Sequence, residues 1–254
     1  VDLTVATGQL TALMLASVRA AAWLAVCPPF NGRSLPTAAK GLLSVGIALP
    51  VAPHLVDKVP SVNSPLLIVS FVEQVIVGVS LGFITSLLFA AIAAAGNLID
   101  VFGGFSVAPA FDPMSMATNT VFGRFYEVTA STLLFATNGH QLVLRGFTSS
   151  YRSLPLDGTL SMDALQHLLT TGLSQMFVSA LQIAGPLIAV LFCTDIGLGL
   201  LTRVAPALNA FSLSFPAKIL LTLSAVGAAL VLLPRHLEGI VDQAVRAVLR
   251  AIGG

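Results

Sequence analysis

Residues 74–99 read QVIVGVSLGFITSLLFAAIAAAGNLI, a run of 26 residues without a single charge. As a helix rising about 1.5 Å per residue, such a run reaches roughly 39 Å, beyond the ~30 Å hydrocarbon core of a bilayer. Helix is its default state, because an isolated strand in lipid leaves backbone N–H and C=O groups unpaired. A second run, LLTTGLSQMFVSALQIAGPLIAVLFCT at 168–194, holds 27 uncharged residues and carries the same expectation.

The composition extends this reading to the whole chain. Of 254 residues, 56% are hydrophobic and only 9% charged, with a mean hydropathy of +0.94. A soluble domain carries about 25% charged residues. So few charges cannot cover a surface in water. The chain is expected to be an all-α membrane protein, or a protein buried in a larger apolar assembly, and neither disordered nor a soluble metabolic enzyme. The net charge of +1 comes from 12 basic and 11 acidic residues. That leaves no basic excess for a phosphate backbone, so no nucleic-acid partner is expected. Cys27 and Cys193 both sit inside apolar runs, which suggests buried thiols and neither a disulfide framework nor a CxxC metal site. No Lys or Arg precedes Arg19, so a cleavable signal peptide is not expected.

About six apolar stretches stand out, at 9–30, 41–56, 65–99, 125–144, 164–194 and 204–233. Several are interrupted. Arg19 lies in the middle of the first, Pro50 and Pro53 break the second, and Glu73 stands near the start of the third. Arg124 and Glu127 open the fourth, and His140 and Arg145 close it. The sixth contains Pro206, Pro216 and Lys218. A charge at the bilayer centre costs about 2.5–3.5 kcal/mol on insertion scales. The pattern therefore predicts long and broken helices packed against protein, with short or re-entrant pieces.

Gly78, Gly82, Ser86, Ala90 and Ala94 recur every four residues, and Ala12, Ala16 and Ala20 form a shorter series. Small residues at this spacing let helix backbones approach where lipid supplies no hydrophobic drive. From 234 onward the character changes. Leu237, Ile240, Val241, Ala244, Val245, Val248 and Leu249 share one helical face, with Arg235, Glu238, Asp242, Arg246 and Arg250 largely off it. This is an amphipathic helix, and its arginines favour a cytoplasmic end.

Signals for chemistry are weak. Gly197-Leu198-Gly199 lacks the third glycine and the βαβ setting of a nucleotide loop, and reads better as a packing or hinge pair. His54, His140, His167 and His236 are scattered without metal-ligand spacing, so no metal and no cofactor is assigned. There is no GxSxG elbow, and no catalytic residue is expected. Asp100 and Asp195 read as partners of a nearby arginine or of a helix end. Arg19, Lys40, Glu73, Asp100, Asp195, Arg203 and Lys218 are the charges to account for. They could line an ion or proton path, as in a transporter, or pair statically between helices or subunits. An intramembrane enzyme is a third, weaker alternative.

The segment GGFSVAPAFDPMSMATNTVFGR at 103–124 is unusual. Gly103, Gly104, Pro109 and Pro113 break helix, yet Phe105, Phe111, Met114, Met116 and Phe122 keep the segment apolar. Such a loop suits a soft contact surface or seal, or it packs under neighbouring helices.

Taken in order, these pieces resemble the FliR/SctT family of export-gate subunits. The matching residues are Arg19, Pro29-Phe30, Pro36 and Lys40, then Glu73, Gly78, Leu81-Gly82 and Ala95-Gly96. Gly104 and Asp112-Pro113 follow, then Asn138-Gly139-His140 and Leu154-Pro155. The last group is Leu198-Gly199-Leu200-Leu201, Arg203, Ala205-Pro206, Phe211, Phe215-Pro216 and Lys218. The flagellar form fits better than the injectisome form.

The resemblance implies a subunit of the flagellar type III export gate, in the bacterial inner membrane at the flagellar basal body. It implies assembly with FliP and FliQ into a channel for unfolded flagellar export substrates, with FlhB attached outside. It implies no catalysis by this chain. By the same analogy residues 1–160 are FliP-like and 161–254 FliQ-like. The loop 103–122 is then the channel plug, with Phe105, Phe111, Asp112, Pro113, Met114 and Met116 at its heart. Asp112 would anchor the loop or cap the turn that follows. The family's gate rises out of the membrane plane, which would account for charges inside apolar runs.

Overall fold

The computed structural model describes residues 3–32, 35–60, 65–107, 120–158, 162–204 and 210–251, and among them every regular element is helical. The helices are α1 (Leu3–Val26), α2 (Thr37–Ala48), α3 (Leu66–Gly103), α4 (Val121–Ala136), α5 (Gly139–Ser153), α6 (Met162–Val204), α7 (Ala210–Leu230) and α8 (Leu233–Ala251). Two 3-10 helices, Ala52–Lys58 and Phe105–Val107, complete the set.

The breaks follow the sequence chemistry. Pro50 and Pro53 sit where α2 has stopped, and the chain bends by 72° into the first 3-10 helix. The stretch 125–144 is not one helix. Asn138 takes a left-handed conformation, φ 59°, and separates α4 from α5. Asn is among the few residues that visit this region at low cost. The two resulting helices, of 16 and 15 residues, are too short to cross a bilayer.

Among the described residues three helices are long and apolar enough to cross a membrane: Thr7–Val26, Leu66–Gly103 and Leu165–Val204. Counting the bent pairs 37–58 and 214–242 as single spans raises the number to five. The six apolar stretches thus yield three to five candidate crossings. At 38 and 43 residues, α3 and α6 reach roughly 57 and 65 Å, about twice a hydrocarbon core.

The chain divides into two compact units, each assembled from separated stretches. The first comprises the residues up to Leu88, Asn138–Leu173 and those from Val241 onward. The second comprises Phe89–Thr137 and Ser174–Ile240. In the first, α1 packs against α2 and the 3-10 helix that follows it. Ala12, Ala16 and Ala20 are fully buried. Gly78 lies so close to the carbonyl of Arg19 and the side chain of Ala22 that it has no room for a Cβ. A Cβ on Gly82 would meet the Trp23 carbonyl and Val26 Cβ, each at 2.9 Å. These two glycines bring α3 against α1, backbone to backbone.

Ser86, Ala90 and Ala94 are only half-buried. Four residues turn a helix by about 400°, so a strict four-residue series drifts by about 40° per step and about 160° from Gly78 to Ala94. The series cannot stay on one face. In the second unit the close approach is taken over by Gly96, which lies against the carbonyl of Phe122 and the backbone of Gly123. There Ala91, Ile92, Ala95 and Ile99 of α3 are buried, as are Phe122, Tyr126, Ala130 and Leu134 of α4.

On α8, Leu237, Ile240 and Val241 are buried while Arg235 and Glu238 are exposed. Cys27 is buried as expected, but Cys193 is exposed. It lies on α6, which is apolar on all sides and is covered by this chain on only part of its circumference.

Gly78→Ala should lower stability by about 1–3 kcal/mol, because the added methyl must push two backbones apart. Gly41→Ala on α2 meets open space and should leave stability unchanged or slightly raised. Thermal unfolding of the detergent-solubilised protein compares the two.

Candidate functional site

The deepest polar cluster is built around Arg19. Its side chain is fully buried, although it comes from the middle of α1. Nε donates to Gln74 Oε1 on α3 at 2.6 Å, and Nη1 donates to the carbonyl of Leu154 at 2.9 Å, with the Ser150 carbonyl at 3.4 Å. Gln74 Nε2 donates in turn to the Leu156 carbonyl at 3.3 Å. The guanidinium lies over the Tyr151 ring, 4.5 Å from its centroid, and the Tyr151 hydroxyl donates to the Ala16 carbonyl at 2.7 Å. Burial pushes the Tyr151 phenol up, while Arg19 pulls the other way, so the hydroxyl keeps its proton and its donor role.

An aromatic column continues from there. Tyr151 meets Phe147 edge-on at 5.5 Å, Phe147 stacks on Trp23 at 4.5 Å, and Trp23 tilts against Phe30 at 5.9 Å. No carboxylate pairs with Arg19 among the described residues; its acceptors are an amide, two carbonyls and a π face. The Leu154 carbonyl is available because it lies just past the end of α5, while the Ser150 carbonyl also accepts the Leu154 N–H. Nη2 and Ser150 Oγ are buried without a partner.

The second cluster closes the base of the loop. Asp100 is buried near the end of α3, and its Oδ2 accepts from the backbone N–H groups of Phe122 and Gly123 at 2.9 and 3.1 Å. These are free donors of the first turn of α4, so the carboxylate serves as a cap supplied by another helix. Asp100 therefore serves a helix end. The Thr120 hydroxyl donates to Asn97 Oδ1 on α3. Phe105 meets Phe122 edge-on at 5.0 Å. Gly104 holds φ +84°, a conformation that favours glycine, and a Cβ on Gly103 would strike the Thr222 hydroxyl at 2.8 Å. The far end of the loop is bonded to α3, and Phe105 at its near end meets Phe122 at the far one. Phe111, Asp112, Pro113, Met114 and Met116 lie outside the described residues.

The remaining charges do not gather. Lys218 on α7 pairs with Asp195 on α6 at 2.5 Å, both side chains partly exposed. Lys40 Nζ donates to the Asn31 carbonyl at 3.1 Å. Glu73 is half-buried and Arg203 exposed, and neither has an ion-pair partner among the described residues. Gly197 and Gly199 lie inside α6, facing open space and not a packed neighbour. Among the described residues no three His, Cys, Asp or Glu side chains come together as a metal site requires.

The profile of the bacterial export proteins, family 1, matches residues 10–244. The chain belongs to that family. It is 31% identical to the flagellar biosynthetic protein FliR of Escherichia coli K12, over 87% of this chain and 85% of that one. It is equally similar, at 31% with the same coverage, to the FliR of Pectobacterium carotovorum. It is 28% identical to the surface presentation of antigens protein SpaR of Salmonella typhimurium, over 75% of this chain and 72% of that one. For this family 1 export protein the match takes in both compact units, the Arg19 cluster and the loop base.

Sequence reading singled out Arg19 but not its partners. It sought a charge, whereas the acceptors are Gln74 and main-chain carbonyls, which carry no side-chain signal. Gln74 itself was visible as the one strongly polar residue at the head of the uncharged run.

Gln74→Leu should cost about 1.5–3 kcal/mol, the range for a hydrogen bond to a charged group, since it leaves Arg19 Nε without an acceptor. At the loop base, Asp100→Ala should cost about 0.5–2 kcal/mol, and Asp100→Asn less, because one acceptor oxygen is kept. Resistance to thermal unfolding in detergent should fall in that order.

Proposed function

We propose that this chain is a subunit of the type III protein export gate, forming with FliP and FliQ the channel by which unfolded flagellar proteins cross the bacterial inner membrane. FlhB attaches to that assembly. The chain makes and breaks no covalent bond; it holds a passage open or shut. In this reading residues 1–160 correspond to a FliP-like part and 161–254 to a FliQ-like part, a correspondence of subunit type and not of compact units.

Beyond family membership, α6 carries the proposal. Only 33% of its apolar span is buried, and Phe177, Leu181, Phe192, Ile196 and Leu200 are all more than half exposed. At roughly 65 Å the helix has about twice the length lipid can cover. The remainder needs a protein partner, because apolar patches of this extent do not stay in water. An ion-coupled transporter finds less support. Its polar groups should cluster at the membrane midplane, whereas Arg19 is satisfied by neutral acceptors and Lys218 is paired with Asp195.

Co-expression tests the assembly. The tagged chain should be extracted as a defined complex when FliP and FliQ are present, and should be degraded or aggregate without them. A monodisperse protein that purifies alone and binds a small solute would support the transporter instead.

Loop 103–122 is the plug in this reading. Its fixed ends at Asp100 and Phe122 leave the intervening apolar segment as the closing element, and an apolar constriction excludes ions by dewetting and by filling space. Replacing Phe105, Phe111, Met114 and Met116 by Gly and Ser should make cells leaky to small ions while the complex still assembles. An assembled variant as tight as wild type would assign the loop to packing.

A further inference from the structure

The first three turns of α3 present an apolar surface that the chain covers only in part. Leu66, Ile68, Val69, Phe71, Val72 and Ile76 are each between 42% and 72% exposed. One acidic group stands on the edge of this surface. Glu73 is half-buried, one helical turn from both Val69 and Ile76, and makes no hydrogen bond or ion pair among the described residues. On its other side lie Ser70 and Val77, both buried. The opposite face of the same turn is given to Gln74, which is spent on Arg19 and the Leu156 carbonyl.

A lone carboxylate on an apolar face is poorly placed against lipid, where its charge has no counter-ion. It is equally poorly placed against a purely apolar protein surface, which would bury the charge unpaired. Water would suit Glu73 but not Val69, Val72 and Ile76 beside it. A surface that satisfies both is an apolar helix carrying one cation.

We propose that Leu66–Ile76 is a docking face for an apolar helix of a neighbouring subunit, and that this helix brings a lysine or arginine to Glu73. The inference rests on the assembly reading above and adds the chemistry of one contact. The apolar residues supply contact area, while the ion pair fixes which helix docks and in what register, because a mismatched register leaves a charge buried alone.

The test uses the full chain co-expressed with FliP and FliQ. In the wild type, a photo-crosslinking amino acid at Ile76 should react with one of those subunits. Glu73→Gln should lower recovered complex at least tenfold, and Glu73→Lys should abolish it. Glu73→Asp should retain part of it. A Lys or Arg reversed to Glu in the cross-linked subunit should restore assembly to Glu73→Lys.

Pulse labelling of the co-expressed chain keeps folding separate from docking. The amount of newly made, membrane-inserted Glu73→Gln chain should equal wild type before assembly, since Glu73 has no partner among the described residues of its own chain. An equal loss of newly inserted chain would overturn the proposal, as would wild-type assembly of Glu73→Lys, or cross-linking at Ile76 to lipid alone. If the wild-type chain forms no complex with FliP and FliQ, the assembly reading fails first, and that result is distinct from normal assembly of the Glu73 variants.

Discussion

A guanidinium in an apolar interior must have acceptors, and the first compact unit is organised around that requirement. Arg19 reaches two separate segments: Gln74 on α3, and the end of α5, through its carbonyls and the Tyr151 ring. Each of these would otherwise be free to slide along α1, since small residues such as Gly78 and Ala16 impose closeness but little register. Hydrogen bonds to a single fixed charge do impose register. The glycine contacts set the distance between α1 and α3, and Arg19 sets their alignment.

The second unit solves a related problem with the opposite charge. Asp100 lies one turn from the end of α3 and collects the free N–H groups that begin α4. The two helices are thereby joined directly, although some 17 residues of sequence separate α3 from α4. The Asp100 cap and the Phe105–Phe122 contact thus close the base of the loop between them.

The fold was legible where one physical signal dominated. Uncharged runs marked α3 and α6, the alternation of faces marked α8, and Pro50 and Pro53 marked the bend after α2. It was less legible where signals conflicted. Asn138-Gly139 is turn chemistry inside an apolar stretch, and hydropathy averaged over it hid the break between α4 and α5. The four-residue series from Gly78 to Ala94 resembled one stripe on paper, but helical drift carries its later members off the packed face. Of the cluster around Arg19, the charge was visible and its acceptors were not, because main-chain carbonyls are the same in every sequence. The centre of the candidate plug, from Phe111 to Met116, lies outside the described residues, so its reading still rests on composition and family likeness.

The order in which the first unit is made differs from the order in which it closes. Arg19 enters the nascent chain 135 residues before Leu154, whose carbonyl it holds. At about 5–20 residues per second, the ribosome takes roughly 7–27 s to cover that interval. Throughout it, α1 carries a charged group whose main-chain acceptors have not been synthesised, and Gln74 is the first to appear. The early helices must therefore wait in a loosely packed or protected state. Closure of the Arg19 cluster is a late event in the life of the chain, set by the arrival of α5 and Leu154 and not by insertion of α1.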